Sequence, residues 1–263
     1  MTLMKHHGLF NAAVCAFLAF TVTGNANAKP WIVQADGIEI NWSNLTARFD
    51  GVAASDVAKQ DGLKDLERTA WRNGYERAVP VLDRVLRDQH AKTGTPVNES
   101  DGGLAKARSE VVKSVQSLNA TFFASGAVEV SMEAKLRDGF AHALRKAGAG
   151  HAGTGGTSGG LVLRLPKGVD PAIAFWLVDS SGKVLFEPRK GSAAAVAQGA
   201  MGRWFRNADK SELSAIIGNS HETLNVDGVR EGNRLVIDGD RFNALRDETL
   251  KALADGRVAL ISQ

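Results

Sequence analysis

Cysteine is nearly missing from this chain: Cys15 is the only one among 263 residues. Disulfide staples, thiol nucleophiles, zinc–thiolate sites and iron–sulfur clusters are therefore all excluded beyond residue 28. Long apolar runs are missing as well, since no stretch reaches the about 20 residues that span a bilayer. Charge of one sign is scarce. The formal charge is +3, and Lys5 is the only charged residue among the first 28, which leaves +2 for the rest. That balance lacks the basic footprint of a nucleic-acid binder. Histidine is sparse and scattered. Beyond residue 28 there are His90, His142, His151 and His221, with neither an i, i+4 pair nor an H-x-H. No metal site is expected from that spacing. A hydrophobic content of 44% still supports a sizeable core, so stability is expected to come from packing.

The first 28 residues have the organisation of an export signal. Lys5 supplies the positive start, and an apolar run from Leu9 to Val22 follows, broken mainly by Asn11 and Thr21. Ala26-Asn27-Ala28 then gives the small-x-small pattern of signal-peptidase recognition. Cleavage after Ala28 and a periplasmic address are the expectation. Cys15 follows Val14 and more apolar residues come after it, unlike a lipid-attachment cysteine. Peripheral membrane association is compatible with the chain, but a lipid anchor is not expected.

The remaining residues read as α+β: a small antiparallel sheet packed by a long helix, then a second small α+β domain. Residues 29–137 are expected to form the first domain, 138–160 a Gly-rich linker and 161–263 the second. Ile38, Ile40 and Trp42 alternate with polar neighbours, as in a half-buried strand. From Ser55, with Ser55 or Asp56 as cap, Leu63, Leu66, Ala70, Gly74, Ala78, Leu82 and Val85 recur at helical spacing. Pro80 predicts a kink or break near Val79. His90 to Gly103 reads as a loop. Leu104, Arg108, Val111, Val115 and Leu118 predict a second helix. Val128, Val130, Met132, Ala134 and Leu136 predict a strand with one wet face, entered through a turn at Ser125-Gly126.

Residues 138–147 suit a short helical piece, and seven glycines then fall between Gly148 and Gly160. Beyond them, Leu161–Leu165, Ala172–Val178, Val184–Phe186, Leu235–Ile237 and Arg257–Ile261 predict strands. Ala193–Phe205 and Phe242–Leu253 predict helices. Asp179-Ser180-Ser181-Gly182 predicts a hairpin turn.

Two strings in the glycine segment imitate catalytic motifs. Gly148-Ala-Gly150-His-Ala-Gly153 fits a dinucleotide fingerprint, but that motif needs a strand before it and a helix after. Gly156-Thr-Ser158-Gly-Gly160 fits a nucleophile elbow, which needs the same order. Here a helical segment precedes and a strand follows. Asp238-Gly-Asp240 lacks the later acidic ligands of a calcium loop and reads as a turn and helix cap. Trp71, Arg72 and Tyr75 form an aromatic and basic stretch of the long helix that could dock on another surface, although Glu67, Glu76 and Asp83 favour a solvated mixed-charge face.

The helix Lys64-Asp-Leu-Glu-Arg-Thr-Ala-Trp-Arg-Asn-Gly-Tyr75, the Ser109–Leu136 segment ending in a Gly-x-Val-Glu-Val-type stretch at Gly126–Val130, and three blocks of the second half carry a resemblance. Those blocks are Gly160-Leu-Val-Leu, Asp170-Pro-Ala-Ile-Ala with Val178-Asp-Ser-Ser-Gly-Lys-Val-Leu, and Leu235-Val-Ile with Arg257-Val-Ala-Leu-Ile. The chain resembles the small outer-membrane lipoprotein family that shares its domain with the N-terminal part of flagellar assembly protein T. The resemblance implies a non-enzymatic role, no cofactor and no catalytic residues. It also implies envelope or flagellar proteins as partners. The family's lipid-attachment cysteine has no counterpart here. The expected function is assembly or support of an envelope structure through protein–protein contacts. The alternative is a periplasmic binding module for a small ligand or peptide, and a cluster of His221 with acidic groups and a strained serine would instead indicate an enzyme.

Overall fold

The computed structural model describes residues 28–54, 62–95, 102–150, 159–231 and 233–262. Residues 1–27 of the proposed leader, Ala26 among them, lie outside these residues, as do Ser55, Asp56, His151 and Ser158. The fold is α+β. Strands β1 (Lys29–Pro30), β2 (Ile32–Ala35), β3 (Ile38–Asn41) and β4 (Thr46–Ala54) precede helix α1 (Leu63–Ala91). Helix α2 (Gly102–Lys113), β5 (Gln116–Phe122), β6 (Ala127–Lys135) and α3 (Arg137–Lys146) follow. Five of these strands form an antiparallel sheet in the order β2-β3-β4-β6-β5. Asp36 and Gly37, both at positive φ, make the two-residue turn between β2 and β3, the pairing that matches strand twist.

Helix α1 covers one face of this sheet. Leu66, Ala70, Gly74, Ala78 and Leu82 of α1 are buried, as are Val128, Val130, Met132 and Ala134 of β6. Helix and sheet meet backbone to backbone, because a Cβ on Gly51 would lie 1.9 Å from the Ala70 carbonyl oxygen. The α1 helix runs unbroken through Pro80. That residue faces solvent, where water can satisfy the carbonyl that the proline leaves unpaired.

After the glycine segment come β7 (Gly160–Leu165), β8 (Trp176–Val178), β9 (Val184–Phe186) and α4 (Ala193–Gln198). Then follow β10 (Arg203–Asn207), α5 (Lys210–Ile217), β11 (His221–Arg230), β12 (Arg234–Ile237), α6 (Gly239–Asn243), α7 (Asp247–Ala254) and β13 (Val258–Ser262). The second sheet is mixed and larger than expected, with eight strands in the order β1-β10-β13-β7-β11-β12-β8-β9. Its central strands β7 and β13 are covered on both faces. Leu161, Leu163 and Leu165 join the main core, while Val162, Ala259 and Ile261 pack with Leu213 and Ile217 of α5. Continuous apolar sequence is the signature of such two-sided burial.

The structure corrects several element boundaries. Val115 and Leu118 are not helical. Ser114 ends α2, its hydroxyl bonding to Val111 O at 2.7 Å while accepting from Lys135 N at 2.8 Å, and the chain then enters β5. The expected helix over 193–205 stops at Gly199, whose φ is +74°, and Trp204 lies in a strand. The expected helix over 242–253 is two helices, with Asp238 capping the first through Asp240 N at 2.9 Å. Ala172–Phe175 are irregular rather than strand, yet buried, because other side chains bind their backbone. Trp204 Nε1 donates to Ala172 O at 2.9 Å, and Asn233 Nδ2 donates to Ala174 O at 3.0 Å.

The expected linker at 138–160 begins with α3, whose Phe140, Ala141, Ala143 and Leu144 are buried. The glycine segment therefore joins parts of one core instead of separating two. Strand β1 adds to the second sheet through β10. Gln89 of α1, 1% exposed, accepts from Ile173 N at 2.9 Å and donates to Pro171 O at 3.3 Å. Trp31 meets Trp204 edge to face, with ring centroids 5.4 Å apart.

Candidate functional site

The five-stranded sheet ends in two open edges, and each is bordered by a groove against α1. At one edge lies β5. From Ser114 to Val128 the chain carries no charged residue and no proline, and six of the seven β5 residues are exposed. Leu118, Phe122 and Phe123 are 47%, 50% and 46% exposed. The alternation of an antiparallel ladder determines which backbone groups are free. Phe123 N donates to Ala127 O at 2.9 Å, Thr121 pairs with Glu129 and Asn119 with Ser131. The N–H and C=O groups of Ala120 and Phe122 then point away from β6, and no described strand pairs with them. A bulge at Leu118 is the one protective device on this edge; charge and proline, the usual others, are missing.

The predicted surface residues sit beside this edge. Trp71 lines a groove of about 240 Å³ between α1 and β5, with Lys64, Glu67, Arg68, Ser117 and Val130. Tyr75 stacks on Trp71, with centroids 4.9 Å apart and rings 15° from parallel. Arg72 is exposed on α1 and does not line the groove. Ala28 of the expected cleavage site is half-buried and packs against the cluster containing Phe205. The hairpin turn expected at Ser125-Gly126 after Phe122-Phe123 is present, with Gly126 N donating to Phe123 O at 2.9 Å, but the expected helix through Leu118 hid the N-terminal part of β5. The uncharged run between Lys113 and Glu129 was the available signal.

At the opposite edge, β2 and the C-terminal half of α1 enclose an open cleft of about 340 Å³. Its floor is apolar: Val33, Ala35, Ile40, Trp42 and Val85. Its rim is charged. Arg84 pairs with Asp36 at the hairpin turn, and Lys92 Nζ lies 3.0 Å from Asp88. Asp170 completes the rim, without an ion-pair partner among the described residues.

Neither catalytic-looking string gains the context that its chemistry requires. Helix α3 precedes Gly148, and β7 follows the segment containing Ser158, the reverse of a strand–turn–helix. Among the described residues, no group of three or more His, Cys, Asp or Glu is placed to hold a metal ion. His221 Nδ1 faces Gly218 O at 3.3 Å. His90 is buried and its Nε2 has no hydrogen-bond partner. Burial, and secondarily the Lys146 charge, hold its pKa below the usual histidine value. His142 is lowered likewise, by burial first and then by Arg145.

No protein-family model matches the chain, and no curated protein is detectably similar to it.

Proposed function

We propose that the protein is a non-enzymatic, exported component of the cell envelope that docks another protein chain along β5. The observation that carries this reading is the long, uncharged edge strand with outward-facing backbone groups and three half-exposed apolar side chains. Such an edge is a template for strand addition, in which main-chain hydrogen bonds supply affinity and flanking pockets select side chains. Side chains of an added strand would fall alternately over the Trp71 groove and over the open sheet face. The leader-like first 28 residues support an envelope address. The resemblance to the flagellar assembly protein T domain supports an assembly role, with flagellar structures as the first partner to test.

The test is co-fractionation with flagellar basal bodies after a salt wash. Retention of the wild type, and its loss in Ala120→Pro, is the expected result. Proline removes an outward N–H without touching the ladder to β6. Complete release of the wild type into the soluble fraction would remove the flagellar partner from the proposal. Equal retention of the proline variant would show that β5 is not the docking edge.

A further inference from the structure

The cleft at the β2 edge is separate from β5 and combines three features that one kind of ligand would use together. The first is an unpaired strand. In the two-residue hairpin Ala35 pairs with Ile38 and Val33 with Ile40, so alternation sends the backbone groups of Ile32 and Gln34 outward. No described strand pairs with them. The second is a cavity on the same side as the strand's inward side chains. Val33 and Ala35 form its wall, Trp42 and Val85 lie beneath, and its volume of about 340 Å³ falls within the range of about 300–1,000 Å³ typical of ligand pockets. The third is an unbalanced charge. The rim cations Arg84 and Lys92 are paired with Asp36 and Asp88, Lys92 Nζ also donating to Pro171 O at 3.5 Å, and the exposed carboxylate of Asp170 has no ion-pair partner among the described residues.

We infer that this cleft binds an extended peptide as an added strand alongside β2, with one bulky aliphatic side chain in the cavity and a basic side chain facing Asp170. The strand period sets the sequence pattern. A residue opposite Val33 or Ala35 points into the cleft, and its neighbours present their N–H and C=O groups to Ile32 and Gln34. Residues two apart share a face, so leucine in the cavity places an arginine two positions away on the same side, toward the rim. Pro171, whose carbonyl accepts from Gln89, closes the end of the cleft next to Asp170. The second half of the chain thereby contributes to ligand selection.

The experiment is calorimetric titration of the purified protein with acetylated, amidated heptapeptides. The reference peptide is Thr-Thr-Leu-Thr-Arg-Thr-Thr. Saturable binding is expected, weakened at least about tenfold when its leucine becomes alanine, as follows from burial of an aliphatic side chain. N-methylation of the two threonines flanking leucine is expected to abolish binding, because those amides face β2. Asp170→Asn, an exposed substitution that leaves the fold intact, is expected to weaken the arginine peptide about twofold to fivefold, the scale of an exposed ion pair. The same substitution should leave a peptide with glutamine in place of arginine unaffected.

Absence of saturable binding at millimolar peptide would overturn the inference, as would indifference to N-methylation. Equal affinity for N-acetyl-leucine amide would assign the cleft to small molecules instead. A dimer that excludes the peptide would assign it to a second copy of the chain. Either result would also overturn the inference.

Discussion

Among the described glycines, Gly51, where α1 crosses β4, leaves the least room for a side chain, and it yields a quantitative prediction for Gly51→Ala. A methyl group on Gly51 would sit 1.9 Å from Ala70 O, 2.7 Å from Gly74 N and 2.9 Å from Ala70 C. All three are backbone atoms, so no side chain can rotate away. To reach van der Waals separation near 3.5 Å, the helix must retreat by about 1.5 Å at that point. Retreat loosens the packing of Leu66, Ala70, Ala78 and Leu82, all of which are buried in the core. Overpacking of this kind costs about 1–3 kcal/mol, occasionally more, and rigid neighbours put this site at the upper end. The smaller chain entropy of alanine returns up to about 1 kcal/mol.

The net expectation for Gly51→Ala is a loss of about 2 kcal/mol or more in urea unfolding followed by circular dichroism. For a chain of this size that corresponds to a fall in Tm of about 4–8 °C. Val52→Thr is the control. Val52 neighbours Gly51 but lies on the open face, 47% exposed, and the change should stay within about 0.5 kcal/mol. Gly74→Ala should also destabilise, though less. Its Cβ would meet the flexible Met132 Cε at 2.3 Å and the Gly51 backbone at 2.7 and 2.8 Å, milder than the 1.9 Å at Gly51, and helix propensity returns about 1 kcal/mol. A Gly51→Ala protein as stable as the wild type would refute the close helix–sheet crossing.

Two further predictions concern the shared core and the buried histidine. Gln89→Ala removes the acceptor for Ile173 N and should cost about 1–3 kcal/mol. Because both sheets share one core, wild type and variant should each unfold in a single urea transition; two separated transitions would contradict the shared core. His90 has a folded-state pKa below its ordinary value of 6.5, so the unfolded chain takes up a proton first as pH falls. Stability should therefore decline from pH 7.5 to 5.5 through this group. His90→Leu should flatten that decline in paired urea melts while remaining neutral or stabilising at pH 7.5, since Nε2 has no partner to lose. His142 contributes the same sign, so part of the slope should remain. An unchanged slope would show that His90 binds its proton equally in the folded and unfolded chain, which contradicts a lowered folded-state pKa.

Elements with one wet and one dry face were legible in the sequence, as were the continuously apolar strands β7 and β13; elements exposed on nearly every side or mixing both cores were not. The alternation from Val128 to Leu136 and the Leu66–Leu82 stripe reported β6 and α1 directly, because a sheet face and a helix stripe each bury one side. Strand β5 has nearly all its residues exposed and so no alternation to read. Leu104, Val111, Val115 and Leu118 happen to share helical spacing, which masked the boundary that Ser114 enforces. In β10, Trp204 enters the main core while Phe205 packs beneath α5, so both faces are apolar and the period disappears. Strands β7, β9, β12 and β13 of the second sheet were expected, but their order was not, because its parallel pairs join strands far apart in sequence, such as His221 with Gly160 and Val258 with Leu161.

The candidate site was legible only in part. Trp71 and Tyr75 were identified by their chemistry, but the edge beside them depended on placing Leu118 in a strand. The β2 cleft draws on Val33, Asp88 and Asp170, which no local pattern connects.

Amide hydrogen exchange at β5 tests the docking edge most directly, comparing purified protein with protein retained on the envelope fraction. The account predicts rapid exchange at Ala120 and Phe122 in the free protein and slowed exchange in the bound form, while Asn119 and Thr121 stay protected in both. Ala120 and Phe122 exchanging at the same rate in the two states would contradict docking through β5.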